Sequence, residues 1–139
     1  MERLAQILPL PSEPDPIEIG ITDDEAGAMF RAALNLFRLW DITDDHAATL
    51  LDMPVRTYRR WKTGDLGRMS RDTKARLSNL MGIHKALRLI FHEPQRGYSW
   101  IKAPNAAFGG RPAIDVMLGG ELTDLMRVRR YLDAERGGW

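Results

Sequence analysis

The sequence predicts an all-α protein, with an N-terminal helix-turn-helix domain joined by a long helix to a second, small helical domain. Three observations predict it. Residues Asp44 to Gly64 read as two short helices around a tight turn. Apolar residues recur at helical spacing over 24–40 and again over 70–93. No segment carries the period-two alternation of a half-buried strand.

Residues 1–22 hold Pro9, Pro11, Pro14 and Pro16, which forbid a long helix and leave an extended arm. Over 24–40, Ala26, Met29, Phe30, Ala33, Leu34, Phe37 and Trp40 form one stripe. Asp23, Asp24 and Glu25 suit the positive N-terminal end of that helix. In the next piece Ala47, Ala48 and Leu51 make one apolar side, and Met53 follows as a buried turn residue. Asp52 holds the turn position often filled by glycine, and aspartate tolerates the left-handed conformation better than most residues. Pro54 can open the second helix, where its missing N–H costs nothing. Tyr58 and Trp61 are three apart and face inward.

The opposite face of that second helix carries Arg56, Thr57 and Arg60, with Arg59 and Lys62 beside them. A helix-turn-helix places its second helix in the DNA major groove. Arg56, Thr57 and Arg60 are therefore the expected base-edge contacts, and Arg59 and Lys62 the expected phosphate contacts. A solvated charged face is the competing reading. The inward aromatics, the small alanines at the crossing and the basic second helix together favour DNA.

Asp65 to Met69 is a glycine-containing loop, and Ser70 is a natural N-cap for a long helix reaching about Glu93, with Pro94 as its stop. Leu77, Leu80, Met81, Ile83, His84, Leu87, Ile90 and Phe91 are too many for a narrow stripe. The helix must bury two faces, against both halves of the chain or against a second copy. Gln95–Gly110 reads as irregular, with Trp100 and Phe108 plugging the core of the small domain. Pro112–Leu118 is a short helix, Gly119–Gly120 breaks it, and Leu122–Arg136 is the last helix. The expected division is an arm over 1–22, a DNA-binding unit over 23–69, and the long helix with the second domain over 70–139.

The chain has 139 residues, 44% of them hydrophobic, enough for one or two small packed domains. Net charge is +1, but its distribution is uneven. Residues 1–26 carry seven acids against one base, a net of −6, whereas residues 56–76 carry eight bases against two acids, a net of +6. A basic block of that kind is an electrostatic footprint for phosphate. The acidic start can either repel DNA or cover the basic face. The absence of cysteine excludes disulfides and thiolate metal sites. With no signal pattern and no apolar run near the ~18 residues of a membrane span, a soluble cytoplasmic protein is expected.

Enzyme chemistry finds little footing. His84 and His92 are eight apart on one helix, too far to share a metal, and His46 stands alone. Satisfied or surface histidines are the expectation, with no metal, no cofactor and no catalytic residue. Asp44 and Asp45 are explained by the dipole at a helix start. The Gly109–Gly110 and Gly119–Gly120 pairs lack the strand-then-helix context of a phosphate cradle, so they read as loop geometry.

The C-terminal third carries the second signal. Trp100, Pro104-Asn105, Phe108-Gly109, Pro112, Asp115, Met117, Gly120, the stretch Val128-Arg129-Arg130-Tyr131-Leu132 and the ending Arg136-Gly137-Gly138-Trp139 resemble the toxin-binding domain of the Xre/MbcA/ParS-type antitoxins. The resemblance covers about residues 80–139, and the helix-turn-helix before it is what that family also carries. It implies a type II antitoxin paired with a RES-domain toxin, which consumes NAD⁺, or with a related ADP-ribosyltransferase-like toxin, with the antitoxin's C-terminal end closing the toxin's active-site cleft. Asp52 at the turn and the proline-rich arm depart from the family pattern.

The residues offer their own support for a C-terminal interface. Arg129, Arg130 and Arg136 cluster near the chain end, and Tyr131 and Trp139 add apolar area with polar handles, the residue types that anchor interfaces. Gly137 and Gly138 let a terminal tryptophan bend into a cleft. From composition alone, a frayed basic end with Trp139 folded onto its own core is equally good; the resemblance favours the interface. The functional reading is therefore an antitoxin and autorepressor, expected to be a homodimer with operator DNA and a protein toxin as partners. The first alternative is a plain transcriptional regulator whose second domain dimerises or senses a ligand, and the second is an interaction module that does not bind DNA.

Overall fold

The computed structural model describes residues 21–137. Most of the expected arm, residues 1–20, and the terminal Gly138 and Trp139 lie outside the described residues. Within them are seven α-helices: α1 (Asp23–Trp40), α2 (Asp44–Leu51), α3 (Val55–Lys62), α4 (Arg71–Ile90), α5 (Pro94–Trp100), α6 (Ala113–Met117) and α7 (Leu122–Glu135). The fold is all-α, as expected.

Local chemistry sets the helix ends. Thr22 caps α1 through a reciprocal pair: its hydroxyl accepts from the Glu25 N–H at 3.1 Å, and the Glu25 carboxylate accepts from the Thr22 N–H at 2.8 Å. Thr43 caps α2 and Ser70 caps α4, each accepting from the backbone N–H three residues on at 3.1 Å. The turn between α2 and α3 passes through Asp52 at φ 52° and ψ 53°, the left-handed conformation anticipated for it. The Met53 N–H then closes back on the Ala48 carbonyl at 3.0 Å, although Met53 itself is only partly buried.

Two features differ from expectation. The long helix stops at Ile90 rather than near Glu93, because Phe91 and Glu93 are both extended. Proline disfavours helical backbone in the residue before it, which accounts for Glu93. Pro94 is also a start, occupying the first turn of α5, so the stretch read as irregular begins with a helix. The second difference is a two-residue antiparallel pair, β1 (Pro104–Asn105) with β2 (Arg111–Pro112). It encloses a 3₁₀ turn at Ala106–Phe108 and closes through Gly109 and Gly110, both at positive φ. Those glycines serve turn geometry.

One apolar core runs through the described residues, and α4 is its spine. It packs on α1 along one side and on α7 along the other, so its two buried faces meet both halves of the chain. Leu77, Leu80 and Ile83 have no accessible surface. On α1, Phe30, Ala33, Phe37 and Trp40 are buried as the stripe predicts, joined by Leu36, while Met29 and Leu34 are only partly covered. The small domain adds Ile101, Phe108, Met117, Leu125, Val128 and Leu132. Gly97 lets α5 approach closely: a Cβ there would sit 3.4 Å from that of Leu87.

Candidate functional site

Two surfaces carry the site residues expected from the sequence. The first is α3. Tyr58 and Trp61 turn inward, 2% and 5% exposed, and both meet the edge or face of Phe30, at centroid distances of 6.1 and 5.6 Å. Burial, followed by the nearby Asp44 carboxylate, pushes the Tyr58 phenol up to about 12, so it stays neutral. Seating those two aromatics fixes the rotation of α3 and leaves Arg56, Arg59, Arg60 and Lys62 on the exposed side, with Thr57 partly covered.

The bases do not stand alike. Arg59 Nε lies 3.3 Å from one oxygen of Asp44, and Lys62 Nζ lies 2.9 Å from the other. These contacts, that of Lys62 foremost, hold the Asp44 carboxyl below its ordinary value of 3.8. Lys62 also lies 5.7 Å from the centre of the Tyr58 ring. Arg60 is 3.8 Å from Asp65, and Arg56 has no ion pair among the described residues.

Behind this surface Arg76 of α4 is 3% exposed. It donates from Nε to Asp72 at 2.8 Å and from Nη1 to the Leu50 carbonyl at 3.2 Å, with Asp52 at 4.0 Å. Counted by sequence among the surface bases, Arg76 instead ties the helix-turn-helix turn to the spine. Its Asp72 pair is local, four residues back on the same helix, but the Leu50 carbonyl and Asp52 are brought to it by the fold.

The second surface is the end of α7. Arg129 lies across α4 at Gly82, with Nη1 3.5 Å from Asn79 Oδ1 and Nε 3.9 Å from Asp133. Arg136 reaches the same Asp133 at 3.4 Å. Arg130 is exposed. Tyr131 stacks on Trp100 at 6.1 Å and 9° between planes, and meets Phe108 edge-on at 5.2 Å. Phe108 is buried and Trp100 partly so, consistent with core plugs. Arg127, which sequence reasoning passed over, lies 5.3 Å from the Phe108 ring centre. Gly137 adopts φ 69° just after the helix.

Beside this end, Leu89 and Ile90 of α4 line an open groove with Glu135 and Arg136. Leu89 is 61% exposed, large and apolar, and was not singled out from the sequence. The helical stripe places it outside the core, which by itself signals nothing.

The structure therefore separates the expected site residues into two groups. Arg56, Thr57, Arg59, Arg60 and Lys62 share α3, while Arg129, Arg130, Tyr131, Arg136 and Gly137 share the α7 end, and Gly138 and Trp139 lie outside the described residues. No cluster of three or more metal-ligating side chains occurs among the described residues, and no described helix is long and apolar enough to cross a membrane. The histidine expectation needs one correction: His84 Nδ1 is buried and makes no hydrogen bond to the described residues.

Comparison with known proteins matches the two parts of the chain that carry these surfaces. The antitoxin Xre-like helix-turn-helix domain family matches residues 20–82, and the antitoxin Xre/MbcA/ParS C-terminal toxin-binding domain family matches residues 86–138. The chain belongs to the Xre/MbcA/ParS-type antitoxins. The antitoxin is also similar to uncharacterized protein y4oB of Sinorhizobium fredii, 43% identical over 115 residues, which span 82% of this chain and 85% of that protein. The division between the two matched domains falls inside α4, between Gly82 and Ala86, on the helix that packs against both halves.

Proposed function

We propose that this antitoxin neutralises a RES-domain, NAD⁺-consuming toxin through its C-terminal end and represses its own operon through α3, working as a homodimer in the cytoplasm. Residues 23–69 are the DNA-reading unit and residues 70–139 the toxin-facing unit. The observation that carries the reading is that a basic helix seated by Tyr58 and Trp61 and a C-terminal helix matched by a toxin-binding family are joined through α4, which packs on both α1 and α7.

Arg56, Thr57 and Arg60 reach base edges, and Arg59 and Lys62 meet phosphate. Dimers of this kind read half-sites about one helical turn apart, so toxin binding at the far end of each protomer changes how dimers sit on the operator. At the toxin, Arg130, Arg136 and Trp139 enter the active-site cleft while the Trp100–Tyr131–Phe108 layer holds α7 in place. A cleft that accepts a dinucleotide offers pockets for rings and charged groups, which an indole and a guanidinium can occupy.

The test is to look beside this gene for a toxin-sized reading frame and to co-express its product with the antitoxin. A stable complex on pull-down, recovery of cellular NAD⁺ and gel shifts on the gene's own promoter are expected. A complex that forms without restoring NAD⁺ would rule out the RES assignment. Light scattering checks the dimer.

A further inference from the structure

We infer that Asp44 is a positioning residue for the charge of the recognition helix: it competes with phosphate for Arg59 and Lys62 and so weakens, without abolishing, the contacts they make with DNA of any sequence. The inference rests on the reading that α3 enters DNA.

Asp44 is the first residue of α2, and Arg59 and Lys62 stand 15 and 18 positions later on α3. One carboxylate divides its two oxygens between the two bases, at 3.3 and 2.9 Å. The neighbouring Asp45 is exposed and forms no ion pair among the described residues, so the helix dipole alone does not select this arrangement. Of the four bases on α3, Arg59 and Lys62 share one counter-anion supplied by the motif itself.

A base paired within the protein must leave its carboxylate before it can neutralise a phosphate and displace the counterions condensed on DNA. Phosphate contacts made by free lysine and arginine release such counterions, and each contributes about 0.9 to the slope of log K against log salt. Asp44 therefore lowers both the affinity and the salt slope without touching a base edge. Its benefit is that less of the protein is captured by bulk DNA, where phosphate contact dominates binding.

The experiment compares full-length wild type with Asp44→Asn, Asp44→Glu and Asp45→Asn on operator and scrambled duplexes across a salt series. Asp44→Asn should bind both duplexes several-fold more tightly at low salt, with the slope steeper by about 1 to 2. Asp44→Glu should behave like wild type. Asp45→Asn, the same change in net charge one residue away, should move the slope less. In a chain carrying Arg59→Gln and Lys62→Gln, adding Asp44→Asn should give no gain. An unchanged or shallower slope for Asp44→Asn overturns the inference, since Asp44 would then be neutral or would be holding the two bases in place for phosphate. If neither wild type nor Asp44→Asn binds either duplex at the lowest salt, the DNA reading fails and the inference falls with it.

Discussion

Arg129 rests its guanidinium on α4 at the one turn where Gly82 carries no side chain. A Cβ at position 82 would occupy the place of that guanidinium. Behind it, Asn79 is 5% exposed, donating to the Ala75 carbonyl at 2.9 Å and accepting from Arg129 at 3.5 Å. The glycine thus trades helix propensity for a seat between α4 and α7.

The trade can be measured as a coupling. Alanine is favoured over glycine inside a helix by about 1 kcal/mol. In the wild-type background Gly82→Ala displaces the guanidinium and leaves the buried Asn79 oxygen unpaired, a loss of about 1–3 kcal/mol. The net effect should be neutral to mildly destabilising. With Arg129→Ala already in place, Gly82→Ala should stabilise by about 1 kcal/mol. Urea unfolding of the four proteins gives the answer, and an equal effect in both backgrounds would separate the two residues.

Trp61 anchors α3 on α1 against Phe30. Trp61→Ala should cost about 3–5 kcal/mol, as large buried aromatics do. The indole Nε1 is buried with no hydrogen-bond partner among the described residues, so Trp61→Phe removes an unpaired donor along with some volume and should cost distinctly less. Thermal melts in which Trp61→Ala is silent would mean that this face does not carry the motif.

Arg76 supports the motif from the other side. Its carboxylate partners are open to water, but the Leu50 carbonyl belongs to a residue with no accessible surface. Arg76→Met keeps much of the volume and removes the charge-assisted bond to that carbonyl, with an expected loss of about 1.5–3 kcal/mol. Operator affinity should fall with it, because the Asp52 turn loses its tie to α4. A gel shift showing weaker binding without any change in urea midpoint would contradict the structural role.

The sequence made the helices legible wherever a cap and a stripe coincided. Ser70 ahead of α4 and the aromatics of α3 are examples. It misled where one residue can do two jobs. Pro94 reads as a terminator, and it does separate two helices, yet the same ring also begins α5. The β pair escaped because two residues carry no periodicity. In the candidate site, rotation of α3 was legible because Tyr58 and Trp61 are three apart. The pairing of Arg59 and Lys62 with Asp44, the burial of Arg76 and the contact of Arg129 with Gly82 were not, because each joins residues far apart in sequence.

His84 introduces a pH dependence. Burial first, and the Arg88 charge second, hold its imidazole below the ordinary 6.5. Protonation is then easier in the unfolded chain than in the folded one, so the unfolded state binds more protons as pH falls through 6.5 towards the folded value. Stability should drop through that window and be flat above it. The depressed carboxyls of Asp44 and Glu25 act in the same direction but only at lower pH, in and below the carboxylate range. His84→Leu should flatten the loss of unfolding free energy between pH 7.5 and 5.5, measured in urea. An identical slope for wild type and variant would assign the effect elsewhere.

Neutralisation can be separated from folding at the end of α7. Leu132 is the last residue of the helix in the buried core, and Glu135 is the last helical residue. Stopping the chain after Glu135 removes Arg136, with its 3.4 Å pair to Asp133, and the three residues that follow. That pair is exposed enough to contribute only about 0–1 kcal/mol. Asp133 then keeps Arg129 alone. The shortened antitoxin should melt close to full length and shift operator DNA with unchanged affinity, since every residue of α3 and its support is retained. It should nevertheless fail to protect cells expressing the toxin, because the groups assigned to the cleft are gone. Full protection by the shortened chain would move neutralisation to another surface. The groove formed by Leu89 and Ile90 would be the first place to look, and Leu89→Asp the variant to make.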